Sequence, residues 1–160
     1  MTDIAAFLEV HGIEVECHRH PPVMTVEESL RLVPRLPGTK TKNLFQRDRK
    51  GWRHFLVTLP HDLAVDLGTP GECLDAGKLG FASVEGLQSH LGIAPGSVSF
   101  LALANDPMHA VEFVIDRSLW ETDALHAHPL VNSATMVVTY AALEQFLAAT
   151  GHVPRVERFG

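Results

Sequence analysis

Thr39-Lys40-Thr41-Lys42-Asn43-Leu44-Phe45-Gln46 is the stretch on which the fold turns. Two lysines and an asparagine stand before a short apolar run. Leu44 and Phe45 then place apolar side chains on opposite faces, the pattern of a strand buried on both sides. Asp48 to Gly51 supply a tight turn, and Trp52 to Leu59 read as a second strand, so this part of the chain predicts a β-hairpin. Charge gathers here. Arg31, Arg35, Lys40, Lys42, Arg47, Arg49, Lys50 and Arg53 are eight of the 13 Lys and Arg residues, and only Asp48 opposes them between positions 31 and 53. A chain of net charge −6 has thus collected its positive charge in one segment. An anionic ligand accounts for that asymmetry. A solvated hairpin that maintains solubility accounts for it too.

Working outward, residues 3–11 predict a helix capped by Thr2, with Ile4, Phe7, Leu8 and His11 on one face. Ile13 to His20 alternates as a strand with one wet face. Thr25 and Glu28 form a capping box for a helix that ends before Pro34. Downstream of the hairpin, Asp62 to Leu67 and Thr69 to Ala76 are weak helical or loop pieces, and Lys78 to Ala82 is a short strand. Ser83 caps a helix ending at Gly92. Ser97 to Leu103 reads as a strand, turned by Asn105-Asp106-Pro107 into Val111 to Ile115 as a second hairpin. A polar loop with His126 and His128 leads to a strand over Ala134 to Val138. Thr139 caps the last helix, Gly151 closes it, and Val153 to Phe159 is a final edge strand. This order, with no βαβ rhythm, predicts an α+β domain whose sheet is mixed and mostly antiparallel, or a partial barrel, flanked by helices.

Length and composition fit one domain over residues 1–160 with a substantial core. Asp3 and the short apolar stretch Ile4 to Leu8 do not make a signal peptide, and no run approaches a membrane span. Cys17 and Cys73 suggest buried small residues rather than a disulfide framework, so a cytoplasmic setting is expected. The acidic balance argues against a protein that coats nucleic acid but allows a local contact with a nucleic acid end.

Several chemistries lack their residues. Gly92-Ile93-Ala94-Pro95-Gly96 has neither the lysine nor the spacing of a phosphate loop. No nucleophile elbow surrounds Ser97. His18/His20 and His126/His128 are His-x-His pairs that can face one way on a strand, yet neither comes with a third ligand. No metal and no organic cofactor is expected.

The chain resembles the prolyl-tRNA synthetase editing-domain family, also called YbaK-like. Thr25-Val26-Glu27-Glu28, Pro37-Gly38, Thr41-Lys42-Asn43-Leu44-Phe45, Pro95-Gly96-Ser97-Val98, Asn105-Asp106, and His128-Pro129 with Asn132 and Ala134-Thr135 carry the likeness, in the family's order. The Lys-Asn-Leu-Phe form is similar to the free-standing alanyl-tRNA(Pro) deacylase branch. Phe100 departs from a family proline and is expected to make the pocket wall bulkier. Gln46 stands where this branch often has an apolar residue.

The resemblance implies hydrolysis of the ester of mischarged tRNA(Pro), most readily alanyl-tRNA(Pro), with prolyl-tRNA(Pro) spared. A proline pocket rejects alanine only by about 1–3 kcal/mol per methylene, so a second sieve is needed. It implies Lys42 and Asn43 as catalytic residues. The Lys42 ammonium binds the terminal phosphate or stabilises developing negative charge. Thr25, Gly96, Ser97, Val98, His128 and Asn132 are the implied substrate-binding residues; Lys40, Arg47 and Arg49 are the implied tRNA contacts. No general base stands out, which leaves room for assistance by a ribose hydroxyl. The expected partner is tRNA(Pro) carrying a wrong small amino acid, with prolyl-tRNA synthetase a further candidate. Two other readings use the same residues: a module that binds an acceptor end or a protein without turnover, and a metal hydrolase built on the histidine pairs.

Overall fold

The structure, a computed structural model, describes residues 3–23, 25–32, 35–64 and 79–159. The expected pieces from 69 to 76, the helix end at Pro34, Cys73 and the cap Thr2 lie outside them. The first helix, α1 (Ile4–Val10), is capped instead by Asp3, whose carboxylate accepts from Ala6 N at 3.2 Å. Strand β1 (Glu16–Arg19) follows, then α2 (Val26–Leu32). The capping box at α2 forms: the Thr25 hydroxyl accepts from Glu28 N at 3.1 Å and lies 3.3 Å from the Glu28 carboxylate.

The predicted hairpin is present as β2 (Thr41–Arg47) and β3 (His54–Pro60), antiparallel from Thr41 opposite Pro60 to Arg47 opposite His54. Its two faces serve two cores. Phe45 and Leu56 join the larger cluster with Leu101, Phe113 and Phe146. Leu44 packs with Phe55, Val57 and Leu59 in a smaller one with Val114 and Phe159. Burial on both sides is what the apolar run after Asn43 requires.

Then come β4 (Gly80–Phe81) and α3 (Val84–Leu91), capped by Ser83 and ended by Gly92 at φ 64°. Residues 97–103 do not form the expected strand. They make 3₁₀ turns, Pro95–Ser97 and Phe100–Asn105, the second opened by Ser99 Oγ accepting from Leu101 N at 3.1 Å. Phe100, Leu101, Ala102 and Leu103 are all fully buried, and an apolar run buried all round has no period to reveal its conformation. Asn105 and Asp106 serve structure: Asn105 Nδ2 donates to Leu91 O at 2.7 Å, and Asp106 accepts from Ala110 N and Val111 N.

The chain continues as β5 (Val111–Asp116), α4 (Arg117–Trp120), β6 (Ala124–Ala127), β7 (Ala134–Thr139), α5 (Tyr140–Thr150) and β8 (Arg155–Glu157). No second hairpin forms at β5, which runs parallel to both β3 and β8. His126 sits on β6 rather than in a loop. Thr139 and Gly151 bound α5 as expected. Cys17 is exposed, not buried.

The strands form two unclosed sheets, β1-β7-β6 and β4-β2-β3-β5-β8. The segment before β2 joins them. Thr39 N donates to Ala124 O and His126 N to Thr39 O, both at 2.9 Å, so Thr39 pairs in parallel with Leu125. Gly38 permits this approach: its φ is 101°, and a Cβ there would lie 3.0 Å from Ala124 O. Among the described residues no helix is long and apolar enough to cross a membrane.

Candidate functional site at the joint of the two sheets

A cleft of about 180 Å³ opens where β2 passes from one sheet to the other. Its lining draws Thr25, Lys40, Lys42, Asn43, Gly96, Val98 and His128 together from four separate stretches. These are most of the residues singled out in the sequence. Ser97, Asn132, Arg47 and Arg49 do not line it. Ser97 N is held by Ala94 O in the 3₁₀ turn, and the Asn132 carbonyl accepts from Val23 N. Arg47 lies at the far end of β2, and Arg49 in the turn beyond it. Phe100 is 0% exposed in the core against Phe113, so it forms no wall of the cleft.

Hydrogen bonds set the orientation of the lining groups. Thr58 donates to Asn43 Oδ1 at 2.6 Å, which leaves the Asn43 amide N–H groups as its remaining donors. Thr41 Oγ1 donates to His126 O at 2.7 Å across the joint. Lys42 Nζ donates to Leu63 O, one of three donors that an ammonium carries. His128 Nδ1 lies 3.2 Å from Ala134 O, which accepts from it. Burial pushes the His128 pKa down, with the charges of His20 and Lys40 acting the same way and the Ala134 carbonyl opposing. The lowered pKa favours the neutral ring, and donation to Ala134 O places its proton on Nδ1 and leaves Nε2 as the acceptor. His126 Nε2 donates to Pro37 O at 2.9 Å, and burial lowers its pKa as well. Burial also lowers the pKa of Lys40.

His61 lines the cleft with no role in the sequence reading, Thr135 entered that reading only within the family motif, and His126 only as half of a His-x-His pair. His61 N donates to Lys40 O at 3.1 Å, and His61 Nδ1 is buried without a hydrogen-bond partner among the described residues. Counting outward along the hairpin from its turn would have found it, since Lys42 opposite Leu59 brings His61 level with Lys40. Thr135 Oγ1 lies 2.8 Å from His20 Nε2, whose other nitrogen is bound to Pro21 O. Among the described residues no group of three or more His, Cys, Asp or Glu side chains is arranged to hold a metal.

No Asp or Glu is among the described residues that line the cleft. It offers two lysines, oriented amide and imidazole groups and a small apolar wall. That combination suits an anionic substrate with a compact uncharged head.

Residues 20–146 match the aminoacyl-tRNA editing domain family, and the chain belongs to that family. It is an editing enzyme, an aminoacyl-tRNA ester hydrolase. Over 159 residues it is 40% identical to prolyl-tRNA synthetase associated domain-containing protein 1 of Danio rerio, covering 98% of this chain and 86% of that one. It is 38% identical to the prolyl-tRNA editing protein ProX of Acetoanaerobium sticklandii, covering 93% and 91%. In fold it matches the crystal structure of hypothetical protein APE2540 with a TM-score of 0.74 at 20% identity, over 97% of this chain and 98% of that one.

Proposed function

We propose that the chain is a single trans-editing domain of the cytoplasm that removes a wrong small amino acid, alanine first, from tRNA(Pro) and leaves prolyl-tRNA(Pro) intact. The observation that supports this best is the convergence of Lys42, Asn43, Gly96, Val98 and His128 on one small cleft. At about 180 Å³ it falls below the roughly 300–1,000 Å³ of sites that take drug-sized ligands, and it suits an aminoacyl group.

Hydrolysis needs a placed water and charge stabilisation at the carbonyl oxygen. The Lys42 ammonium has two donors beyond its bond to Leu63 O, and these face the developing oxyanion or the terminal phosphate. The Asn43 amide donates beside it. His128 accepts through Nε2, from the attacking water or from a ribose hydroxyl. Lys40 holds the backbone of the 3′ end. Water adds to the ester carbonyl, the ribose oxygen leaves with a proton, and the free amino acid and uncharged tRNA are released. Prolyl-tRNA synthetase is the natural source of the mischarged substrate and a candidate partner.

The test is deacylation of tRNA(Pro) carrying alanine, serine, cysteine or proline. Fast loss of alanine with proline retained is expected. Equal rates on the alanyl and prolyl esters would remove the sieve.

A further inference from the structure

The end of the hairpin remote from the cleft is built, charged and aromatic. Asp48 Oδ1 accepts from Trp52 N at 2.8 Å and from Arg53 N at 3.1 Å, and Asp48 N donates to Arg53 O at 3.0 Å. Those backbone bonds, that to Arg53 first, hold the Asp48 carboxyl below its usual range. The one acidic group of the segment is therefore an internal brace of the turn. Arg53 is held by two 2.9 Å bonds to Glu112 and lies over the Phe55 ring. The turn is thus fixed before any ligand arrives.

On this fixed turn Trp52 is 79% exposed, with Lys50 Nζ 4.9 Å from its ring centre. Arg47 and Arg49 are exposed beside it, and Phe81 is exposed on the adjoining β4, opposite Gln46. A large indole left in water on a rigid turn, among cations, has the make-up of a nucleic acid contact. Phosphates pair with the cations, and an unpaired base stacks on the ring. The five residue steps from Lys42 to Arg47 set this end about 17 Å from the cleft, too far for the same nucleotide to reach both.

We propose that the hairpin turn is a second RNA site: Trp52 stacks on a base of the tRNA body while Arg47 and Arg49 hold its phosphates, as the charged 3′ end lies in the cleft. The proposal rests on the editing reading for the identity of its RNA, and it deepens that reading by separating recognition of the body from recognition of the ester.

The experiment measures binding of uncharged tRNA(Pro) by fluorescence anisotropy, and single-turnover deacylation of two substrates. One is full-length alanyl-tRNA(Pro); the other is a short RNA bearing only the alanylated unpaired 3′ end. Trp52→Ala should weaken tRNA binding about tenfold, and Trp52→Phe should restore most of it. Arg49→Ala should weaken it too and lower the slope of log affinity against log salt by about 1, whereas Trp52→Ala should leave that slope unchanged. Trp52→Ala should hydrolyse the short substrate like the parent. Unaltered tRNA affinity in Trp52→Ala overturns the proposal and leaves the indole to a protein partner; equal losses on both substrates overturn it as well. If the parent hydrolyses neither substrate, the editing reading falls, and the binding measurements still decide the turn.

Discussion

The two ends of one hairpin carry similar charge and differ in everything else. At the cleft end Lys40 and Lys42 are partly buried, and their neighbours Thr41 and Asn43 are bonded to His126 O and Thr58. At the turn Arg47, Arg49 and Lys50 stand in solvent. Charge density alone gives the eight cations one meaning. Burial divides them into groups placed to an ångström and groups that act at a distance. Stabilising a transition state requires the first kind, while attracting a polyanion requires only the second.

The largest expected effect is at the cleft. Lys42→Ala should fold and lose about 10²–10³-fold in single-turnover deacylation at saturating protein, as removal of a single oxyanion donor does. Lys42→Arg should recover little, since a planar guanidinium does not place its charge where a compact ammonium sat. Lys40→Ala should cost far less under the same saturation. If Lys42→Ala matches the parent there, the two ends are alike, and Lys42 is a surface charge rather than a catalytic group.

Reversing Arg47 and Arg49 together to Glu should raise the half-saturating tRNA concentration by about tenfold or more and flatten its salt dependence, with the saturated rate nearly unchanged. A drop in the saturated rate as large as that of Lys42→Ala would erase the division.

Between the ends lies Gln46, 0% exposed on the same side of β2 as Leu44, with both amide atoms unpartnered among the described residues. Gln46→Leu should stabilise the fold by about 1–2 kcal/mol, read as a higher urea midpoint at unchanged slope. No gain would mean that the amide is satisfied in solution.

The smallest effect is in pH. Burial lowers the pKa of His126 and His128 in the fold. The unfolded chain therefore takes up protons first as pH falls, so stability is full above about pH 6.5 and declines as pH drops through the folded values. The melting temperature should be lower near pH 5.5 than near pH 7.5, and His128→Gln should shrink the difference. An unchanged difference in His128→Gln would take the titration away from the cleft.

The hairpin, its turn and its burial on both faces were legible because each depends on neighbours in sequence: a turn after Gln46 and Arg47, and alternation across Leu44 and Phe45. Caps at Thr25, Ser83 and Thr139 were legible for the same reason. The 3₁₀ path of Phe100 to Leu103 was not, because uniform burial removes the period. The parallel pairing of β5 was not, because a strand's direction relative to a partner more than fifty residues away leaves no local mark. In the site, the motif around Lys42 named its own residues. His61 came into view only when the register of the hairpin was known, and the place of Thr135 in the cleft only with the joint between the sheets.

That joint has a consequence for time as well as shape. One wall of the cleft is tied to the other by the amides of Thr39 and His126, and Gly38 leaves no side chain there to adjust. Parting the two sheets at this joint requires these two bonds to break together with that of Thr41 Oγ1 to His126 O. A filter that sorts by size is only as selective as its widest frequent opening. The hydrogen exchange of those two amides is therefore the clock to set against its selectivity.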